Sequence, residues 1–463
     1  MKQSLKKMLA LALAAGMIAS MAACQLKDNG TATAGDATAN ASRDEIAVKI
    51  GDSDEYTVTR GEIADLYDAM VSQYTAYGMA APTADADIES MQDTVVDMLA
   101  QEKLNQYQAK LMGIELDKNA SDGVDADVED EMAYYMDTFR SQAEAEGATD
   151  VDARTLEIFN EQLKSSGLDM DVEGYRAYIK EQLTKQAIST ALQEKVKSDV
   201  EVSDEEVQTY YNDLLDTQKE TYASNPEKYL EDEEGFEKFG GDPILVSPEG
   251  YVRVKTITIS PAEELSADYE TLQTDMQKLE AEYGKLSLTD ATLNAARIRE
   301  IATEYKAKKT EADGLYETYI AAAREKANKA YEELKAGKSF DEVLAAYGED
   351  DVYTTYPVFA TEGLLMQKGV ASSTWNEQLV EAVGKLKNGE YTEVINLDDI
   401  FYICQLVGDE PVDEKSFEDV REDIRSQALA QKAETYWNEQ QEAWMNDTSL
   451  VTTYEDVYRS VGK

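Results

Sequence analysis

The sequence predicts an α+β protein, mostly α, in which a helical domain accompanies a small sheet-bearing domain that carries an inserted antiparallel coiled-coil hairpin. Three observations predict it. Apolar residues recur at helical spacing through most of the 463 residues, as Ile188, Ala191, Leu192 and Val196 do. Against that background "GYVRVKTITIS", Gly250 to Ser260, alternates with a period of two in a β-branched run and reads as a strand. Beyond it lie two heptad seams separated by "GKLSLTD". The first is Leu265, Tyr269, Leu272, Met276, Leu279 and Tyr283, and the second is Ile298, Ile301, Tyr305, Lys308, Ala312 and Leu315.

The elements follow in chain order. Lys2, Lys6 and Lys7 precede the apolar run "MLALALAAGMIAS", and small residues lead to Cys24 in "MAAC". The run is too short to span a bilayer stably. This start resembles a bacterial lipoprotein signal, with Met21 where leucine is more usual; the resemblance implies cleavage before Cys24 and acylation of its thiol. Residues 1–23 are then the signal peptide. The small polar residues that follow make 24–43 a flexible tether.

Residues 46–67 read as two short strands around a turn at Gly51 to Asp54, then a helix opened by a capping box at Thr59 and Glu62. Helices follow at about 88–112, 126–145, 152–166 and 171–199, and Ser203 with Glu206 opens another. "DKNASDGVDADVEDE" at 117–131 fails as a calcium loop: Asp122 stands where glycine is needed and Val128 where a bidentate glutamate is needed. It is expected to be an acidic linker. Pro226, Gly240, Gly241, Pro243 and Pro248 mark residues 217–249 as a second linker. After the strand and the coiled-coil arm at 262–312, Asp313 and Gly314 loosen the chain before a helix "REKANKAYEELKAG". Ser339 and Glu342 cap the next helix, 352–370 is irregular, and "TEVINL" and "FYICQLVG" are two more short strands. A long helix, about 416–445, carries the stripe Val420, Ile424, Ala428 and Tyr436.

Composition narrows the chemistry. The chain has no histidine, which excludes histidine-based nucleophilic sites, histidine-ligated zinc and histidine proton shuttles. Cys404 lies in an apolar run and has no partner once Cys24 is acylated, so no disulfide framework is expected. The formal charge is −50, and loss of the three signal lysines takes it to −53. Such a field repels nucleic acid and favours solubility and cationic partners. No cofactor is implied.

The strand, the helix "KANKAYEELKAG", "SFDEVLAAYGED", "EAVGKLKNGEYTEV" and the final apolar strand resemble the parvulin family of peptidyl-prolyl isomerases. The flanking pieces, "MLAQEKLNQYQAKLMGIEL" and "YRAYIKEQL…VEVSDEEVQTYY" among them, resemble PrsA- and SurA-type extracytoplasmic foldases. The resemblance implies a helical domain over 44–216 completed by 412–463, and a parvulin-like domain over 250–410 with the arm inserted. It places Thr256 and Tyr402 where the family has its two histidines, Trp375 and Leu379 on the proline-pocket wall, and Asp350 or Asp351 at the acidic position. The family's glycine-rich segment is absent from 352–370. Isomerisation breaks no covalent bond, so Thr and Tyr hydroxyls remain candidate donors, yet they equally suit a satisfied pair within the core.

The expected function is a lipid-anchored folding factor on the extracytoplasmic face of the cell membrane, with a degenerate isomerase site and unfolded or newly secreted polypeptides as partners. An active isomerase is the alternative. A ligand-binding lipoprotein of a transporter fits less well, because repeated βα alternation is missing. The free polar faces of the arm would suit a partner in the envelope.

Overall fold

The computed structural model describes residues 43–462, apart from 166–167, 169, 262–265, 291–293 and 398. The signal segment, Cys24, the tether as far as residue 42, and Leu265 of the first seam lie outside the described residues.

The chain opens with β1 (Ile46–Ile50) and β2 (Thr57–Thr59), an antiparallel pair in which Val48 faces Val58. The turn needs Gly51: its φ is +64°, and a Cβ there would lie 2.7 Å from the Tyr107 ring. The Thr59–Glu62 capping box opens α1 (Arg60–Ala76). Then come α2 (Asp85–Leu111), α3 (Lys118–Ala145), α4 (Val151–Ser165) and α5 (Val172–Lys197). Next are α6 (Asp204–Ser224), α7 (Glu227–Phe239), β3 (Val246–Ser247) and β4 (Tyr251–Ile259). The arm helix α8 (Ser266–Asp290) and the long α9 (Ala295–Lys335) precede α10 (Phe340–Tyr347), α11 (Val352–Thr355) and α12 (Pro357–Glu362). Then follow β5 (Leu364–Gln367), α13 (Glu377–Val383), β6 (Ile395–Leu397), β7 (Ile400–Asp409) and β8 (Asp413–Glu414). The last elements are α14 (Phe417–Met445), β9 (Val451–Thr453) and α15 (Glu455–Tyr458).

Two compact units result: residues through Glu201 together with Leu429–Lys463, and Val202–Ala428. In the first unit β9 pairs antiparallel with β1, and Val48, Ile50, Ile63, Val95 and Leu104 share one core with Val457, Tyr458 and Val461. A second core joins α3, α4 and α5 through Met132, Tyr135, Phe159 and Tyr175.

The second unit is built on an antiparallel sheet of order β5-β4-β7-β6. One face carries Val252, Val254, Cys404 and Leu406 and packs on Met366, Trp375, Leu379 and Val383. The other carries Ile257, Ile259, Phe401 and Ile403 and packs on Ile320, Ala323 and Ala327 of α9 and on α10. α8 runs antiparallel to the first part of α9: Lys308 meets Asp275 at 2.8 Å, Arg297 meets Glu282 at 2.8 Å, and Tyr269 lies against Tyr316 and Tyr319. The lysine that interrupts the second seam is thus neutralised by a carboxylate on the facing helix.

Four expectations are corrected. Residues 117–131 are not a linker but open α3, because Asp117 caps the helix by accepting from the Ala120 N–H at 2.9 Å, and Val124 and Val128 bury an apolar face. Residues 217–249 are largely helical, since α6 runs to Ser224 and α7 buries Tyr229 and Glu233. The helix does not break at Asp313 and Gly314. A mid-helix glycine costs only about 1 kcal/mol against alanine, and burial of Ala312 on one side and Ile320 on the other outweighs it. Finally, the stripe of α14 divides: Val420 and Ile424 join Val207, Tyr211 and Leu245, whereas Trp437 joins Ala109, Leu192 and Val196, and Tyr436 is exposed. A helix of 29 residues is about 43 Å long at ~1.5 Å per residue, more than one core of this size can cover.

Glu131 on α3 has a buried Oε1 without a hydrogen-bond partner, beside the Tyr135 and Tyr175 phenols. Burial raises its pKa, and a hydrogen bond from Tyr175 only partly opposes this. The folded form therefore holds the proton more tightly than the unfolded chain, so this stabilisation is complete below the unfolded carboxyl value and fades as pH rises through the raised one. Urea denaturation of wild type and Glu131→Gln at about pH 4 and about pH 8 should show wild type losing more stability between the two than the variant. Equal losses would remove Glu131 from the account.

Candidate functional site

Thr256 and Tyr402 project from neighbouring central strands to the same side of the sheet. Thr256 stands opposite Cys404 and Thr258 opposite Tyr402, so the two candidate positions are diagonal neighbours on the face that packs against Trp375 and Leu379. All four residues proposed from the sequence for the isomerase site are therefore brought to one face. Cys24 lies outside the described residues.

The sheet edge explains what surrounds Thr256. β5 pairs with β4 only from Tyr251 to Val254, leaving the rest of that edge without a strand partner. Glu349–Tyr353 fills the gap: the Glu349 N–H donates to the Thr258 carbonyl at 3.0 Å, and Glu349 Oε2 accepts from the Ser260 N–H at 2.6 Å. At its end the Tyr353 hydroxyl accepts from the Thr256 N–H at 2.8 Å and lies 3.0 Å from Thr256 Oγ1. Both residues are buried. Burial is the main reason that the Tyr353 phenol is pushed up to about 12, against the downward pull of its bonds with Thr256.

The other members are equally engaged. The Cys404 N–H donates to Thr392 Oγ1 at 3.0 Å, and burial pushes the Cys404 thiol up to about 12. Asp350 Oδ1 accepts from the Val352 N–H at 3.0 Å, forming a turn at the start of α11, and Asp351 is exposed. The Trp375 indole N–H donates to the Leu365 carbonyl at 2.6 Å, and both Trp375 and Leu379 are buried. Beside Trp375 a cavity of about 10 Å³, lined by Leu230, Glu233, Glu234, Leu364, Leu365 and Thr374, has room for about one water and none for a prolyl ring. Tyr402 is half-buried.

Two charged residues of β4 point the opposite way and hold helices. Arg253 bridges Glu233 of α7 at 2.5 Å and Glu410 at 2.6 Å, and Lys255 meets Asp341 of α10 at 2.8 Å. Among the described residues no group of His, Cys, Asp or Glu side chains is arranged to hold a metal ion.

The chemistry available is that of hydroxyls and apolar walls. The Tyr353 phenol and the Cys404 thiol both stay protonated through the neutral range, so neither supplies acid–base chemistry there. Tyr353 is the residue that sequence reasoning missed. Its only signal was the adjacent apolar pair Val352–Tyr353 directly after the acidic cluster, in a segment too short for periodicity to assign.

Residues 298–422 match the family of PPIC-type PPIase domains. Two solved structures resemble the chain: PrsA from Bacillus subtilis, 13% identical, with 91% of this chain and 100% of that one covered and a TM-score of 0.26, and the foldase protein PrsA from Streptococcus pneumoniae, 15% identical, with 76% and 84% covered and a TM-score of 0.26. No curated protein matches the sequence. The matched segment begins within α9 and ends within α14, taking in β5, β6, β7 and the Tyr353, Trp375 and Tyr402 positions but not β4, and over these residues the chain is similar to a parvulin-type, PPIC domain.

Proposed function

We propose that the protein is an extracytoplasmic folding factor, anchored through an acylated Cys24, that holds unfolded secreted polypeptides and has a degenerate prolyl isomerase site. One observation carries the reading: the Tyr353 hydroxyl lies against both the N–H and the Oγ1 of Thr256, and both residues are buried. Isomerisation requires a cavity complementary to a twisted prolyl amide and a donor for it. Here the cavity beside Trp375 is water-sized, Thr256 and Leu379 are buried, and the Thr256 N–H and Oγ1 both meet the Tyr353 hydroxyl. Holding an unfolded chain requires only exposed apolar surface and several weak contacts. The arm, at 262–312 in this reading, offers a separable surface for a partner in the envelope. Anchoring rests on the resemblance of residues 1–24 to a lipoprotein signal; among the described residues no helix is long and apolar enough to cross a membrane.

Two measurements test the reading. Isomerisation of a short Ala-Pro peptide should stay near background while aggregation of an unfolded protein is suppressed. Activity well above background that Tyr402→Phe abolishes would establish the tyrosine hydroxyl as a working donor and overturn the proposal.

Tyr353→Phe should leave isomerisation at background and destabilise the second unit by about 1–3 kcal/mol, the usual cost of stranding a buried N–H. Chemical denaturation reads this directly. An unchanged midpoint would mean that Tyr353 does not satisfy Thr256.

A further inference from the structure

Residues 69–84, "AMVSQYTAYGMAAPTA", contain no charged side chain in a protein that is 30% charged. They form the end of α1 and the turn to α2. Tyr74 is 36% exposed, Tyr77 74% and Met79 49%. The turn is built by backbone bonds, Gly78 N–H to Thr75 O at 3.0 Å and Met79 N–H to Tyr74 O at 2.9 Å. Gly78 has a φ of +76°, with nothing near the position of a Cβ. Several other exposed apolar side chains stand beside charges, as Leu111 and Met112 follow Lys110, Phe239 follows Lys238 and Val412 precedes Asp413, whereas isolated ones such as Leu288 and Tyr134 do not form an uncharged stretch of this length.

Position decides the occupant. The tip lies at the far end of α1 from Arg43, which is held at the start of that helix by Asp65 and by the Gly61 N–H. Seventeen helical residues place the tip about 25 Å from that point. Residues 24–42 can bridge at most about 60 Å, the length of a fully extended chain of that many residues. A chain held at residue 24 thus brings the tip within reach of the anchoring surface. The net charge of −50 keeps charged faces away from anionic headgroups. Tyrosine, with an apolar ring and a polar hydroxyl, suits the interfacial zone.

We infer that the α1–α2 tip, Tyr74 to Met79, is a lipid-contact element that rests in the headgroup region of the membrane to which the chain is tethered. The inference rests on the proposed tethering at residue 24, and its contact is weak by itself. Held at high local concentration by the tether, even a weak contact is populated. It differs from polybasic membrane binding in its charge dependence, because anionic lipid opposes it.

The test makes the tether chemically, so it does not depend on acylation in the cell. The chain from Cys24 onward is coupled through its thiol to a maleimide lipid in phosphatidylcholine vesicles, which Cys404, being buried, does not disturb. Tyr77→Trp reports on the tip, and Tyr134→Trp, on the exposed side of α3, is the control. Headgroup-proximal brominated lipid should quench Tyr77→Trp, with a blue shift on coupling, and should leave Tyr134→Trp unchanged. Adding anionic lipid at low salt should reduce the quenching, and salt should restore it. Emission of Tyr77→Trp unchanged by coupling, or equal quenching at both positions, overturns the inference. Protection of Tyr77→Trp by an unfolded polypeptide but not by lipid would also overturn it and make the tip a client surface. Failure of the native protein to float with membranes, with quenching intact in the coupled form, counts against acylation alone.

Discussion

The pairing of β4 with β7 is the constraint on which the second unit depends. Val252 to Ile259 must meet Asp409 to Phe401 across some 140 intervening residues, and those two strands form the middle of the sheet. Whatever lies between them is an excursion that has to return. Loop-closure entropy rises only with the logarithm of length, about 0.6 kcal/mol per doubling. Inserting the α8–α9 hairpin between β4 and the remaining elements is therefore cheap for stability, and it is the folding rate that bears the cost of such non-local contacts. The hairpin is not loosely attached, since α9 passes without interruption from its pairing with α8 to its packing on the sheet.

The same pairing explains why the site has the character it has. Opposing strands bring Thr256, Cys404, Thr258 and Tyr402 to one face, but β5 is too short to cover the β4 edge beside Thr256. A buried backbone N–H there needs an acceptor. Tyr353 supplies one and in doing so fills the space beside Thr256. Stability and vacancy compete for the same position, and in this chain the position is occupied.

Much of this was legible in the sequence, where local chemistry decides conformation. The capping boxes at Thr59–Glu62, Ser203–Glu206 and Ser339–Glu342 all form, because side chain and backbone satisfy each other within one turn. The period-two run of β4 is a strand, and the gathering of Thr256, Tyr402, Trp375 and Leu379 followed from register and resemblance together. What was illegible depends on distant partners. β5 has only four residues and follows Gly363, whose φ is +87° and whose missing Cβ would lie 3.0 Å from the Val254 backbone. Nothing near it in the sequence announces that approach. The acidic stretch at 117–131 looked like solvent-exposed linker because its two buried valines are sparse, and the helix at Gly314 held because packing on either side outweighed propensity. Tyr353 finds Thr256 from 97 positions away.

The pairing of β1 with β9 has a consequence for the order in which the protein is made. Val48 waits for Thr453, and the core around Ile50 and Ile63 is shared with Val457 and Val461. A polypeptide emerging residue by residue from the ribosome presents β1 first and its partner some 400 residues later. In the interval the sheet-bearing unit, contained in Val202–Ala428, can complete itself while the earlier unit stays open. Maturation of the first unit is thereby coupled to the end of synthesis, so that a nascent chain arrested before residue 451 would display its unfinished core to any protease or chaperone it meets.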